Sequence, residues 1–334
     1  MENSSSVFRK RLLLCISVCT ASWTAFLVPA VFMDGTKTGA YLSAFLRSSR
    51  QCMEVYGVQY TLTALALALG TKAAQLKDRS AYQNTAFNIL LCAAALSVMF
   101  PYFAYKTAGS GVHGYRWSPA TLEKPFWVAV KDIALLLPSW FYVLLDRVYS
   151  DGWFIYTTAA FLFPIVLDFS REESLMYYGA ILLTNPVWIL MNFFLPVLSP
   201  FYVYGNEFFS YLPEGLFSLK QHLNSMQVTH LIQSGAQAVS RLSFPFQPIA
   251  SFPSWHVGFV FFTWRFFKKT KSPLKHLSFA MFAAIFAGSI LLGFHYLVDD
   301  IAGMAVWRGA LALLSFKKNQ IKGGEGYAQE VVQI

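Results

Sequence analysis

HLSFAMFAAIFAGSILLGFHYLVDDIAGMAVWRGALALLS, residues 276–315, holds two apolar runs joined by a short turn rich in ionisable side chains. No Asp, Glu, Lys or Arg occurs between His276 and Gly293. A bilayer-spanning helix needs about 20 mostly apolar residues. The stretch therefore reads as two consecutive membrane helices, 276–293 and 295–315. His295, Asp299 and Asp300 stand at the start of the second. Ionisable residues near membrane depth are expensive and point to function.

Walking outward, similar segments occur near 12–33, 55–76, 85–106, 126–146, 152–169, 174–199 and 253–268, which makes nine in all. The whole composition agrees. Of 334 residues, 56% are hydrophobic and 13% charged, and Phe alone contributes 32. Mean hydropathy is +0.45. Soluble domains usually carry about 25% charged residues. These figures exclude a disordered chain, a fibrous protein and an ordinary cytosolic enzyme. The fold class expected is all-α, a polytopic membrane protein.

The net charge of +9 sits in short clusters between apolar runs, such as Arg9-Lys10-Arg11 and Arg265 to Lys275. That is a topology signal rather than a groove for phosphate backbone, so no nucleic-acid partner is expected. Cys15, Cys19, Cys52 and Cys92 lie mostly inside apolar stretches, have no metal-ligand spacing and read as core residues. The first segment is too long for a signal-peptide core of 7–15 residues and reads as a retained anchor. The longest polar stretch is 200–252, and the end from Lys317 onward reads as a solvated tail.

Five cations between the helices 253–268 and 276–293, with Lys317, Lys318 and Lys322 beyond the last, place those ends in the cytoplasm. The starts of the 253–268 and 295–315 helices then share the opposite, extracytoplasmic face. Nine spans would put Arg9-Lys10-Arg11 outside, against the same rule. One of the weaker segments, 55–76 or 126–146, then does not span, or the N-terminal cluster is overruled.

Two stretches stand apart at that shared face: Phe252-Pro253-Ser254-Trp255-His256-Val257-Gly258, and Phe294-His295-Tyr296-Leu297-Val298-Asp299-Asp300-Ile301-Ala302-Gly303. His295 and Asp299 are four apart and share one helix face. A carboxylate there accepts the N–H of one imidazole nitrogen, fixes the tautomer and leaves the other nitrogen as nucleophile. His256 supplies a second imidazole, to protonate a leaving group and then deprotonate an incoming hydroxyl. Two His and one Asp make a poor zinc site, so no metal and no cofactor is expected. Asp300, about 100° round the helix, reads as facing solvent or loop groups. His113, His222, His230 and His276 read as amphipathic packing, and Lys131-Asp132 as a local ion pair or a snorkelling lysine.

Pro-Ser-x-His followed by His-x-x-x-Asp, with the two His 39 residues apart, resembles the type-2 phosphatidic acid phosphatase superfamily. The resemblance implies a six-helix membrane core over residues 121–316, an N-terminal extension of two or three transmembrane helices over 1–120, and a cytoplasmic tail over 317–334. It implies His295 as nucleophile, Asp299 as its orienting partner, His256 as acid and base, and Ser254 among the phosphate-holding groups. Three departures stand out. No Arg-Pro dipeptide of the family's Lys-x6-Arg-Pro motif exists here. Gly288-Ser289 occupies the place of its Ser-Arg, and Trp255 the place of a glycine.

A phosphodiester carries one negative charge less than a phosphomonoester and needs less clamping. The branch most similar is accordingly that of the inositol phosphorylceramide synthases. Phe194 to Tyr202, Pro213-Glu214-Gly215-Leu216 and Ala250 to Ser254 resemble its segments, and Arg241 is a candidate for the missing cation. The expected activity is transfer of a phospho-head group from a glycerophospholipid to a lipid alcohol such as ceramide, with membrane lipids as the partners. The alternatives are a lipid phosphate or diphosphate phosphatase, and a non-catalytic lipid transporter or scaffold.

Overall fold

A computed structural model of the chain describes residues 79–108, 118–195, 197–223 and 252–322, with the single positions Leu13 and Ser17. Apart from those two positions, the expected spans 12–33 and 55–76 lie outside the described residues, as do His113, His230, Arg241 and the tail beyond Lys322. Helices account for the described elements, and no β-strand is among them. They are α1 (Arg79–Ala108), α2 (Ala120–Ala134), α3 (Ser139–Arg147), a π-helical turn (Val148–Gly152), α4 (Trp153–Val166), α5 (Arg171–Phe194), α6 (Pro200–Tyr204), α7 (Asn206–Phe209), α8 (Trp255–Lys269), α9 (Leu274–Leu291) and α10 (Leu297–Lys322).

Local chemistry explains the main boundaries. Ser170 opens α5 with a capping box: its hydroxyl accepts the Glu173 N–H, and Glu173 accepts the Ser170 N–H in return. Lys268 and Lys269 close α8, where cations complement the helix dipole. Gly293, at φ 75°, ends α9. There the Phe294 N–H reaches back to the Ser289 carbonyl at 2.9 Å, the 6→1 bond of a Schellman turn.

The expected span 126–146 is not one helix. The chain breaks after Ala134 and restarts at Ser139 behind Pro138, whose extended backbone (ψ 152°) cannot continue a helix. α2 is bent by 115° from the continuous run Ser139–Val166. The π turn joins α3 to α4, so the residues expected as the span 152–169 continue α3. Lys131 reaches across to α7. Lys131 donates to the Glu207 carbonyl at 2.6 Å, and its ammonium lies 5.8 Å from the centre of the Phe208 ring.

α5 is the central helix: 67% of its apolar window is buried, against α1 on one side and α10 on another. α9 packs on α8, but only 28% of its window is buried, and Leu277 and Phe279 face outward. Among the described residues, these two helices are long and apolar enough to cross a membrane, and the bent pair passes the same test only when its two arms are counted together. Cys92 is buried, with its thiol 3.4 Å from the Phe161 carbonyl, as a core residue would be.

Two glycines set how closely α8 and α10 approach. A Cβ on Gly303 would lie 2.2 Å from the Ser254 carbonyl oxygen, and one on Gly258 would lie 2.4 Å from the Trp307 ring. Trp307 fills the space left between the helices. It stacks on Phe262 with centroids 4.7 Å apart and meets Phe259 edge-on at 5.6 Å.

A buried carboxylate supports the loop beside this junction. Asp146, on α3, accepts the N–H groups of Phe217 and Ser218 at 2.8 and 2.9 Å, capping the helical turn 217–223. That turn carries His222, expected as amphipathic packing but buried at 4% exposure. His222 lies parallel to Phe201 at 4.3 Å and contacts Phe294, and its Nε2–H donates to the Leu292 carbonyl at 2.8 Å. Burial pushes its pKa down to about 4; the hydrogen bond and Asp146 oppose the shift, and His295 adds to it.

Gly303→Ala must push against backbone, so it should lower stability by about 1–3 kcal/mol, the usual cost of overpacking. Gly309→Ala, with open space around it, should cost nothing measurable. Thermal unfolding of the purified protein separates the two. Because the folded pKa of His222 lies below the unfolded value near 6.5, its neutral form favours folding fully above about pH 6.5. That contribution falls as the pH drops toward 4, by about 3 kcal/mol in all. Melting the wild type and His222→Gln across this range should show a stability difference that changes with pH; a constant difference would refute the assignment.

Candidate active site

The two motif stretches meet at one end of the bundle. The Ser254 N–H donates to the Asp299 carbonyl at 2.9 Å, so the start of α8 is bonded directly to the first turn of α10. The Ser254 hydroxyl accepts the Val257 N–H at 3.3 Å and caps α8. Just upstream, the Pro253 carbonyl accepts the Trp188 indole N–H at 3.0 Å, which pins the approach to α5. On the other side, the His295 N–H donates to the Ser289 carbonyl at 3.1 Å at the end of α9. Three helices thus fix the backbone under both histidines.

His295 is 5% exposed and Asp299 fully buried. His295 Nδ1 lies 3.8 Å from Asp299 Oδ2, ion-pair distance but longer than a hydrogen bond. The same Oδ2 accepts the Tyr296 N–H at 2.9 Å, which fixes the carboxylate against the turn. Catalytic hydrogen bonds commonly tighten only around substrate. His295 stands two residues before α10 rather than on it, so the expected shared helix face is not formed; the two side chains meet instead across the entry to the helix, with Nδ1 toward the carboxylate and Nε2 away from it.

The His256 ring lies 6.0 Å from that of His295, centroid to centroid. It is half-buried between Trp153 at 4.6 Å and Tyr149 at 5.5 Å. Tyr149 belongs to the π turn, a local irregularity that often marks functional sites. Its ring stacks on Phe294 at 4.7 Å and fills the space beside Gly288, where a Cβ would lie 2.6 Å from the ring. A transferring phosphoryl group between two imidazoles, one oriented by a carboxylate, meets a nucleophile on one side and a proton donor on the other.

Asp300 differs from expectation. It is fully buried rather than facing solvent or loop groups. Its Oδ2 accepts the Ser289 hydroxyl at 2.6 Å, it hydrogen-bonds the Ser254 side chain, and it interacts electrostatically with His295. The 100° separation from Asp299 assumes that one side of the helix is open. At the first turn of α10, α8 covers one side and the end of α9 the other, so both carboxylates point inward.

Glu123 is a second group that sequence inspection missed. From α2 its two oxygens accept the N–H groups of Leu297 and Val298 at 3.0 and 2.9 Å, and the Trp127 indole N–H lies 3.3 Å from the same carboxylate. It caps the helix that bears Asp299 and begins two residues after His295, from 174 residues away in the chain. No local pattern announces such a cap. Asp146 is missed for the same reason. For Ser289 and Asp300 a signal exists: a polar residue at the end of one apolar run and a second acid at the start of the next.

Among the described residues, no group of three or more His, Cys, Asp or Glu is placed to hold a metal ion. Ser254, His256, His295 and Asp299 come together, whereas Arg241 lies outside the described residues.

Against known proteins, the model of the PAP2 superfamily matches residues 126–313, more than half of the chain, and the match includes both histidine stretches. No curated protein and no solved structure matches. The superfamily comprises phosphatases and phosphotransferases acting on phosphoesters. With its apolar helices and this match, the protein is a helical membrane protein belonging to the PAP2 superfamily.

Proposed function

We propose that the protein is a multi-pass lipid phosphotransferase that moves a phospho-head group, phosphoinositol-like, from a glycerophospholipid to a lipid alcohol such as ceramide. The observation that carries this reading is His295, oriented by Asp299, facing His256 across 6.0 Å. The first step is attack of His295 Nε2 on phosphorus. The bond to the diacylglycerol oxygen breaks, and His256 protonates that oxygen as it leaves. The head group stays on His295 as a phosphodiester-like phospho-histidine. In the second step the acceptor hydroxyl attacks phosphorus, His256 takes its proton, and His295 is released. Positioning and imidazole acid–base chemistry supply the catalysis.

Transfer from a diester, as in the inositol phosphorylceramide synthases, is favoured over monoester hydrolysis by what stands six residues before His295. There Ser289 is tied to Asp300, where the family carries an arginine that would clamp a dianion. The active site faces the extracytoplasmic side, because Arg265, Lys268, Lys269, Lys271 and Lys275 crowd the opposite end of α8 and the turn into α9. In this orientation α2 lies along the interface, with Leu122 and Ile133 exposed to lipid. Residues 121–316 form the catalytic core, 1–120 a membrane extension and 317–334 a cytoplasmic tail.

The test is purified protein in lipid bilayers with labelled phosphatidylinositol and ceramide. A labelled phosphosphingolipid with release of diacylglycerol is expected. Free phosphate from a phosphomonoester with no new lipid would make the protein a phosphatase, and no turnover of any phospholipid would leave a transporter or scaffold. His295→Ala and His256→Ala should each cut turnover by about a hundredfold or more without unfolding the protein, and Asp299→Asn by less. A fully active His295→Ala protein would sink the mechanism. Single cysteines placed near residues 205–230 should react with an impermeant reagent from outside, whereas those at 268–275 should not; the reverse pattern would invert the orientation.

A further inference from the structure

Two carboxylates, not one, stand beside the proposed nucleophile. Asp299 has an assigned task, facing His295 Nδ1. Asp300 has none in the two transfer steps, yet it is fully buried and within electrostatic reach of both His295 and Asp299. The Ser289 hydroxyl donates to its Oδ2 at 2.6 Å, and the Ser254 side chain bonds it as well. Its Oδ1, also buried, has no hydrogen-bond partner. Ionisable groups at such depth are costly to keep. A knot between three helices could be tied without charge, since an amide accepts the same hydroxyls.

What an ionisable group adds is a field at the reacting phosphorus. A phosphate arriving beside Asp300 must bear the repulsion of that carboxylate or bring a proton to it. Either cost grows with the charge on the phosphate: a diester carries one unit and a monoester about two at alkaline pH. The usual offset, a guanidinium at the position of Ser289, is replaced by a neutral hydroxyl that is itself spent on Asp300.

We propose that Asp300, held by Ser289 and Ser254 beside His295, is a specificity-determining residue that makes the site select a singly charged phosphodiester over a doubly charged phosphomonoester. The inference rests on the phosphoester reading above and assigns the choice of substrate within it to one side chain.

The experiment compares kcat/KM of the full-length protein for phosphatidylinositol and for phosphatidic acid at pH 8. Wild type should favour the diester. Asp300→Asn, which keeps shape and acceptor, should shift the ratio toward the monoester by about tenfold or more, the scale of one unit charge across a few ångströms of partly desolvated site. Ser289→Ala breaks the same hydrogen bond but keeps the charge, so its ratio should stay within about twofold of wild type whatever happens to the absolute rates.

A structural role alone would lower both substrates together in both variants, and an unchanged ratio in Asp300→Asn overturns the proposal. A wild type inactive on both lipids overturns the phosphoester reading instead, and the proposal with it. If Asp300→Asn does not fold, wild type still decides. A non-hydrolysable diacyl phosphonate dianion should inhibit phosphatidylinositol turnover at least about tenfold more weakly than its singly charged monomethyl ester; equal or stronger inhibition by the dianion refutes the selection.

Discussion

The hydrogen bond from the Ser254 N–H to the Asp299 carbonyl is the constraint on which the rest of the site depends. It joins two helix starts that are 45 residues apart in the chain, and it forms only because Gly303 presents no side chain toward the Ser254 backbone. With α8 and α10 held so, His256 on α8 faces His295, which stands in the turn just before α10. Precision of this kind suits phosphoryl transfer, in which positioning supplies much of the catalysis. The bundle's aromatic packing around Trp307 follows from the same close approach, filling the wedge that opens below the crossing.

Around that junction the polar groups are satisfied largely by carboxylates from distant segments. Asp146 caps the turn of His222, Glu123 caps α10, and Asp300 gathers hydroxyls from two other helices. In an apolar surround a bare backbone N–H is expensive, and an acid side chain can accept two at once. The result is a site rich in negative partners for a chain whose net charge is +9. The cations gather at the far end of α8, so charge is segregated along the bundle rather than balanced within it.

The sequence made some of this legible and hid the rest for physical reasons. His256, His295 and Asp299 could be found because ionisable side chains inside apolar runs are conspicuous; helix geometry pointed to the pairing of His295 with Asp299, although His295 itself stands two residues before α10. The helices α1, α5, α8, α9 and α10 follow from apolar length. The segment 126–146 was deceptive because apolarity does not register a change of direction, and Pro138 turns the chain within an otherwise acceptable span. Asp300 was deceptive because a helical wheel assumes an open side, which the first turn of α10 lacks. Glu123 and Asp146 act across 71 to 175 residues of separation, and no local pattern encodes such a partner.

Glu123 sits on a helix bent by 115° from its continuation, while the helix it caps begins two residues after His295, the proposed nucleophile. In the proposed orientation one of these helices lies along the bilayer surface and the other runs through it. A single carboxylate therefore links an element that feels the lateral pressure of lipid head groups to one that aims an imidazole. On the proposed mechanism, the angle of attack would be a mechanical property of the protein and its bilayer together, with the membrane serving as part of the frame as well as the source of substrate.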